Sequence, residues 1–134
     1  MLTFGMTQYV SAVTLVVPDY DEALAFYVGK LGFDLIEDTA QSPDKRWVVV
    51  APPGSRECRV LLAQAASDEQ ASAIGFQAGG RVAFFLHTDN FDRDFASMTA
   101  AGIEFLEAPR SEPYGKVVVF QDPFGNKWDF IQTR

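Results

Sequence analysis

The sequence predicts an α+β fold of two tandem βαβββ modules, their eight strands forming a cup-like mixed sheet or barrel with the helices outside. Three observations lead there. First, a shift of 70 lays residues 16–53 over 86–123 without a gap and matches seven positions. These are Asp19/Asp89, Gly32/Gly102, Glu37/Glu107, Pro43/Pro113, Val48/Val118, Val49/Val119 and Pro53/Pro123. Several are cap and turn formers, so the match concerns local backbone structure rather than bulk composition. Second, each copy reads as a β-branched run, a helical stretch and three further short runs. Third, one such module covers only one face of its sheet with its helix. Two modules can curl their bare faces together, and a cup between sheets is a normal place for a ligand.

The elements follow in order. Tyr9–Val17 and Arg81–Thr88 are rich in the β-branched and aromatic residues of strands. Asp19 and Asp89 suit helix N-caps, because a carboxylate accepts the free N–H groups of a first turn. The helices run to about Lys30 and Ala100, the second with Phe91, Phe95 and Met98 on one stripe. Gly32 and Gly102 stop them, since glycine accepts positive φ. Three strands close each module: Phe33–Asp38, Trp47–Ala51 and Arg59–Gln64, then Ile103–Glu107, Lys116–Gln121 and Lys127–Gln132. Asp122-Pro123-Phe124-Gly125 forms a type I turn. The chain is thus one domain over 1–134: module one at about 8–65, a linker at 66–80, and module two at about 81–133. A short helix is expected in the linker from Ser67 to Ile74.

Composition narrows the partners. The formal charge is −7, divided almost evenly between the halves and without a basic cluster. Nucleic acid and anionic membrane are poor partners for such a surface, because phosphate contacts need concentrated Lys and Arg. The single cysteine, Cys58, excludes an internal disulfide and a Cys-based zinc site. No apolar run is long enough to cross a bilayer, and the first residues lack the pattern of a signal peptide. A cytoplasmic protein with a small-molecule ligand is expected.

Several motifs carry a family resemblance. Val17-Pro18-Asp19-Tyr20-Asp21-Glu22-Ala23-Leu24-Ala25-Phe26-Tyr27, Leu31-Gly32-Phe33 and Asp122-Pro123-Phe124-Gly125-Asn126-Lys127-Trp128-Asp129 resemble the vicinal oxygen chelate superfamily. That superfamily includes glyoxalase I, bleomycin-resistance proteins, extradiol dioxygenases and fosfomycin-resistance enzymes. The resemblance spans both modules. It implies a divalent metal held by side chains from the first and last strands of each module. Transferred residue by residue, the four ligand positions fall on Ala12, Leu61, Val82 and Asp129. Only Asp129 carries a donor, and a lone carboxylate does not retain a catalytic metal. The sequence therefore predicts no metal site and no cofactor.

Asp129 and His87 are the candidate catalytic residues. Asp129 alternates with Lys127 and Ile131 on the presumed cavity side. It is either paired with Lys127 or Arg59 in a polar corner, or a general base or substrate anchor in an apolar cup. His87 is the only imidazole. Strict alternation from Val82 puts it on the opposite face, and a bulge would reverse that. It reads as a structural histidine or as a ligand contact. Ala12, Thr14, Leu61, Val82 and Phe84 are expected to form apolar walls. Trp47, Tyr114 and Phe84 read either as rings stacking on a flat ligand or as core, and Arg110 opens a segment to Gly115 that reads as a loop covering the cavity mouth or as a solvated loop. These residues predict metal-independent binding of a small, partly apolar molecule, as in the bleomycin-resistance branch. The alternative is an enzyme, either a lyase or dioxygenase with relocated ligands or a metal-free acid–base catalyst using Asp129. Chains of this length in the family usually pair, so a homodimer is expected.

Overall fold

The computed structural model describes residues 7–55 and 57–134. The first module contains β1 (Ala12–Val17), α1 (Tyr20–Leu24), β2 (Asp34–Ser42), β3 (Lys45–Ala51) and β4 (Arg59–Gln64). The linker holds α2 (Asp68–Ser72). The second module contains β5 (Val82–His87), α3 (Phe91–Ala100), β6 (Glu104–Phe105), β7 (Arg110–Glu112), β8 (Gly115–Gln121) and β9 (Lys127–Thr133). The sheets are ordered β1-β4-β3-β2 and β5-β9-β8-β6, with β7 also paired to β8. In both, the opening strand lies parallel to the closing one, and the remaining pairs are antiparallel. This is the α+β fold of two βαβββ modules that the repeat predicts.

Local chemistry explains most boundaries. Asp19 caps α1, its carboxylate accepting from the Glu22 amide at 2.8 Å. The second cap is shifted by one residue: Asn90, not Asp89, accepts the Arg93 amide, at 3.1 Å. Asp89 is left to pair with the Arg93 guanidinium. After Leu24 the first helix widens into a π-helical turn over Ala25–Lys30, where the Leu31 amide reaches back to the Phe26 carbonyl. That turn packs the consecutive rings of Phe26 and Tyr27 into the core, edge to face at 4.9 Å. Gly32 and Gly102 follow the helices with φ of +82° each. The β2–β3 hairpin is longer than the sequence predicts. Arg46 supports its extension, joining Asp38 on the facing strand to Asp21 on α1, both at 2.8 Å.

The core lies between the sheets and their helices. Leu15, Val17, Val48, Val50 and Leu62 from the first module, and Val118 and Phe120 from the second, are fully buried in one cluster. Burying each such side chain contributes on the order of 1.5–3 kcal/mol. The modules meet on this helix side. Tyr27 and Phe33 of module one pack against Trp128 of β9, with ring centroids 5.7 and 5.8 Å away. The linker adds a second junction. The Gln77 side chain accepts from the Val16 amide at 2.9 Å and donates to the Thr14 carbonyl at 2.5 Å. It thereby satisfies two backbone groups on the free edge of β1, which would otherwise need a neighbouring strand.

Candidate functional site

The core contacts identify the face of each sheet that carries no helix. In the first sheet Leu15, Val48, Val50, Val60 and Leu62 point toward α1, so the alternate residues point away. The register aligns Glu37 with Val49, Val49 with Leu61, and Leu61 with Thr14 across that bare face. Ala12 and Trp47 share it, and Trp47 is 39% exposed. In the second sheet Trp128 and Phe130 belong to the core, leaving Lys127, Asp129 and Ile131 on the bare side. Val119 pairs with Asp129, and Asp129 with Phe85. The two rows are repeats of each other: Glu37, Val49 and Leu61 correspond to Glu107, Val119 and Asp129.

A bulge in β5 changes one expected contact and bears on another. The register with β9 slips between Val82, paired with Lys127, and Phe84, paired with Trp128. Phe84 is therefore turned onto the helix side, where it stacks on Trp128 at 4.4 Å. It does not line the bare face. Phe85 takes that place, 64% exposed, and strict alternation gave no sign of it. The same slip pairs His87 with Ile131 and returns it to the side of Asp129. No hydrogen bond joins His87 to Asp129 among the described residues, and His87, at the strand end, also borders the helix-side cleft discussed below. Val82 stays on the bare side with Lys127.

Asp129 is the polar centre of this surface, and its neighbours are not those expected. Lys127 donates instead to the Gly80 carbonyl at 3.3 Å, and no ion pair joins Asp129 to Arg59 among the described residues. The charges that reach Asp129 come from β7 and the segment before it. Arg110 clamps Glu107 through its Nε at 3.0 Å and Glu112 through Nη1 at 2.7 Å. Glu107 also accepts the Val119 amide at 3.1 Å, which fixes the group against β8. The predicted loop before β8 is thus a short strand, and Arg110 is held by two carboxylates. Those contacts push its guanidinium pKa further up, so it is a permanent cation. Tyr114, in the β7–β8 turn, is 51% exposed.

Desolvation raises the Asp129 pKa above the ordinary carboxylate value; Arg110 opposes this and Glu107 reinforces it. The sign of the linked stability follows. A raised folded-state pKa means that the folded chain binds this proton more tightly than the unfolded chain. The resulting contribution is full below the unfolded value of about 3.9 and is lost as pH rises through the folded value. Ionised Asp129 therefore costs stability at neutral pH. Asp129→Asn should stabilise the fold at neutral pH by less than about 1 kcal/mol after solvent screening, with a matching small rise in melting temperature. The advantage should shrink as the solution is acidified, which thermal melts across an acid-to-neutral series would show.

The donor set at the four family ligand positions does not fit a resident divalent metal. Ala12, Leu61 and Val82 offer only alkyl groups, leaving the Asp129 carboxylate alone. Among the described residues no three His, Cys, Asp or Glu side chains gather as a metal cluster. Nor, among those residues, is any helix long and apolar enough to cross a membrane.

Asp122 is a structural residue that sequence reasoning undervalued. It is 1% exposed and accepts from the Tyr27 hydroxyl at 2.6 Å, the Asn126 side-chain amide at 2.7 Å, and the Phe124 and Asn126 backbone amides at 2.9 Å each. Burial, and then the Asp122 charge, push the Tyr27 phenol well above its ordinary pKa. Trp128 donates its indole N–H to the same hydroxyl at 3.2 Å. The motif reads as a turn, and only the three-dimensional contact with Tyr27 reveals the buried network.

Comparison with known proteins places these features. Residues 9–130 match the model of the Glyoxalase/Bleomycin resistance protein/Dioxygenase superfamily. An uncharacterised protein of Shewanella frigidimarina (strain NCIMB 400) is 56% identical over 128 residues, which cover 95% of each chain. Among solved structures, UcmS2 superposes with a TM-score of 0.81 at 29% identity, covering 94% of this chain and 98% of the other. TnmS3, an antibiotic binding protein from Streptomyces sp. CB03234, superposes with a TM-score of 0.75 at 27% identity, covering 98% of this chain and all of the other. With both modules matched and the βαβββ repeat in place, the chain belongs to the glyoxalase/bleomycin resistance protein/dioxygenase superfamily.

Proposed function

We propose that this protein binds a small, partly apolar molecule between the bare sheet faces, without the family's metal. The observation that carries the reading is the make-up of those faces. Trp47 on the first bare face and Phe85 on the second are exposed rings, Phe85 lies beside the half-buried Asp129 carboxylate, and three of the four ligand positions hold alkyl side chains. Ala12, Thr14, Leu61 and Val82 supply walls, Trp47, Tyr114 and Phe85 supply rings, and Asp129 with Arg110 orients a polar group on the ligand. The structural likeness to an antibiotic binding protein supports a role in sequestration or resistance. A second copy supplies the opposing face, because Trp47 and Phe85 on the bare faces stay exposed on the single chain and large rings in water favour burial. The proposed assembly is a homodimer.

Tryptophan fluorescence tests this reading. Titration with planar aromatic antibiotics should quench Trp47 saturably, and Trp47→Phe should remove most of the response. Light scattering on a sizing column should give a dimer. Saturable binding by no compound in the panel, together with a monomer at high concentration, would overturn the proposal.

The upward pKa shift of Asp129 favours one further reading, a metal-free acid–base catalyst. Turnover of a bound compound that Asp129→Asn abolishes without loss of binding would establish it. Turnover unchanged in that variant would exclude Asp129 as the base.

A further inference from the structure

A cleft of about 460 Å³ opens on the helix side of the molecule, where the two modules meet. It is separate from the bare faces, because β5 stands between them. Leu86 points into the cleft while its neighbour Phe85 lies on the other side of the sheet. Its volume falls in the range of small-molecule sites, about 300–1,000 Å³, and module junctions are a preferred place for such sites. Phe33 from module one and Leu86, Met98 and Phe130 from module two form an apolar floor. Pro52 and Pro53 add a rigid wall.

The rim is polar, and its charges are unequally satisfied. Arg93 holds both rim acids, Asp89 at 3.1 Å and Asp94 at 2.8 Å, and Asp94 also accepts the Thr88 hydroxyl. Lys30, at the end of the π-helical turn, has no ion pair and no side-chain hydrogen bond among the described residues. The Ser97 hydroxyl on α3 is likewise without a partner there. In a chain of formal charge −7, Arg93 takes both rim acids, and the Lys30 ammonium is the rim charge left unpaired among the described residues. An apolar floor beneath an unpaired ammonium fits an amphiphile with an acidic head.

We propose that this cleft is a second binding site, for a small amphiphilic carboxylate whose apolar body lies on Phe33, Met98 and Phe130 and whose head group meets Lys30. The two tryptophans separate this site from the first. Trp47 belongs to a bare face, whereas Trp128 packs on Phe33, which lines the cleft. In a Trp47→Phe background Trp128 is the sole indole reporter.

Decanoate, held below its micellar concentration, is the probe. It should change Trp128 emission saturably and shift the backbone amide resonances of Phe33, Leu86 and Met98 more than those of Val49 and Phe85. Lys30→Glu should weaken binding at least tenfold, and Ser97→Phe, placed at an exposed rim position, should block it while the circular dichroism spectrum is retained. Decyltrimethylammonium should bind at least tenfold more weakly than decanoate. No saturable response, resonance shifts centred on Val49 and Phe85, or equal binding of the two head groups would each overturn the proposal. The Lys30→Glu, Ser97→Phe and head-group comparisons read the cleft itself, whereas shifts centred on Val49 and Phe85 would report the bare faces instead.

Discussion

Asp122→Ala should cost about 3–5 kcal/mol of stability and lower the melting temperature by roughly 10–20 °C. The substitution removes one small side chain, yet it strands four donors: the Tyr27 hydroxyl, the Asn126 amide group and two backbone N–H groups. Each of these is directed at a carboxylate only 1% exposed, so little water is available as a replacement acceptor. Recovery of the cost of burying the Asp122 charge offsets part of the loss, which keeps the estimate below the sum of four separate penalties. Asp122→Asn should be milder, because one carbonyl acceptor survives while an amide nitrogen is turned toward a donor. Tyr27→Phe supplies a second measurement. The raised Tyr27 pKa contributes stability that is full below the unfolded value of about 10 and is lost as pH rises toward the folded value. Wild type should therefore lose stability on alkaline titration faster than Tyr27→Phe. An equal loss of unfolding free energy in wild type and Tyr27→Phe between neutral and alkaline pH would contradict the buried network.

The repeat made the architecture legible because its matched residues govern backbone direction. Asp19, Gly32 and Gly102 fixed where the helices begin and end, and the β-branched runs fixed the strands of both sheets. What the sequence left obscure depends on a single residue's worth of register or on distant contacts. The bulge between Val82 and Phe84 reverses two ring positions, and no glycine or proline marks it. Period-two reasoning therefore assigned Phe84 to the bare face and overlooked Phe85. Asn90 displaced Asp89 as the cap because both can accept an amide, and Arg93 is placed to take the spare carboxylate. The cation near Asp129 was sought on its own strand and on β4. Arg110 reaches it instead, across a pairing of β7 with β8 that the sequence reads only as a loop. Asp122 shows the same limit from another side. Its local motif predicts a turn correctly, but its largest energetic role lies in Tyr27, ninety-five positions earlier in the chain.

Gly75→Ala should be the second strongly destabilising change, at about 2–4 kcal/mol. Gly75 has φ of +74°, a conformation that alone costs an alanine about 1 kcal/mol. The larger effect is steric. A Cβ there would lie 1.9 Å from the Phe124 carbonyl oxygen and 3.0 Å from its carbon, both backbone atoms of the turn that Asp122 organises. That turn cannot retreat without disturbing the four hydrogen bonds to Asp122, so the linker must move instead. Gly79→Ala is the matched control: φ is +67° and nothing lies within 4 Å of the added carbon. It should show only the conformational cost. The two variants should also differ at a distance. Gln77 lies between these glycines and holds the edge of β1 through Val16 and Thr14. If Gly75 seats the linker, Gly75→Ala should speed hydrogen exchange at the Val16 amide, and Gly79→Ala should leave it close to wild type. Equal protection of Val16 in both variants would mean that Gln77 holds β1 without help from the Gly75 contact. The expected inequality would tie the edge of the first sheet to the turn that opens β9. The spacing of the two bare faces would then be set by the same buried junction that fastens the modules together.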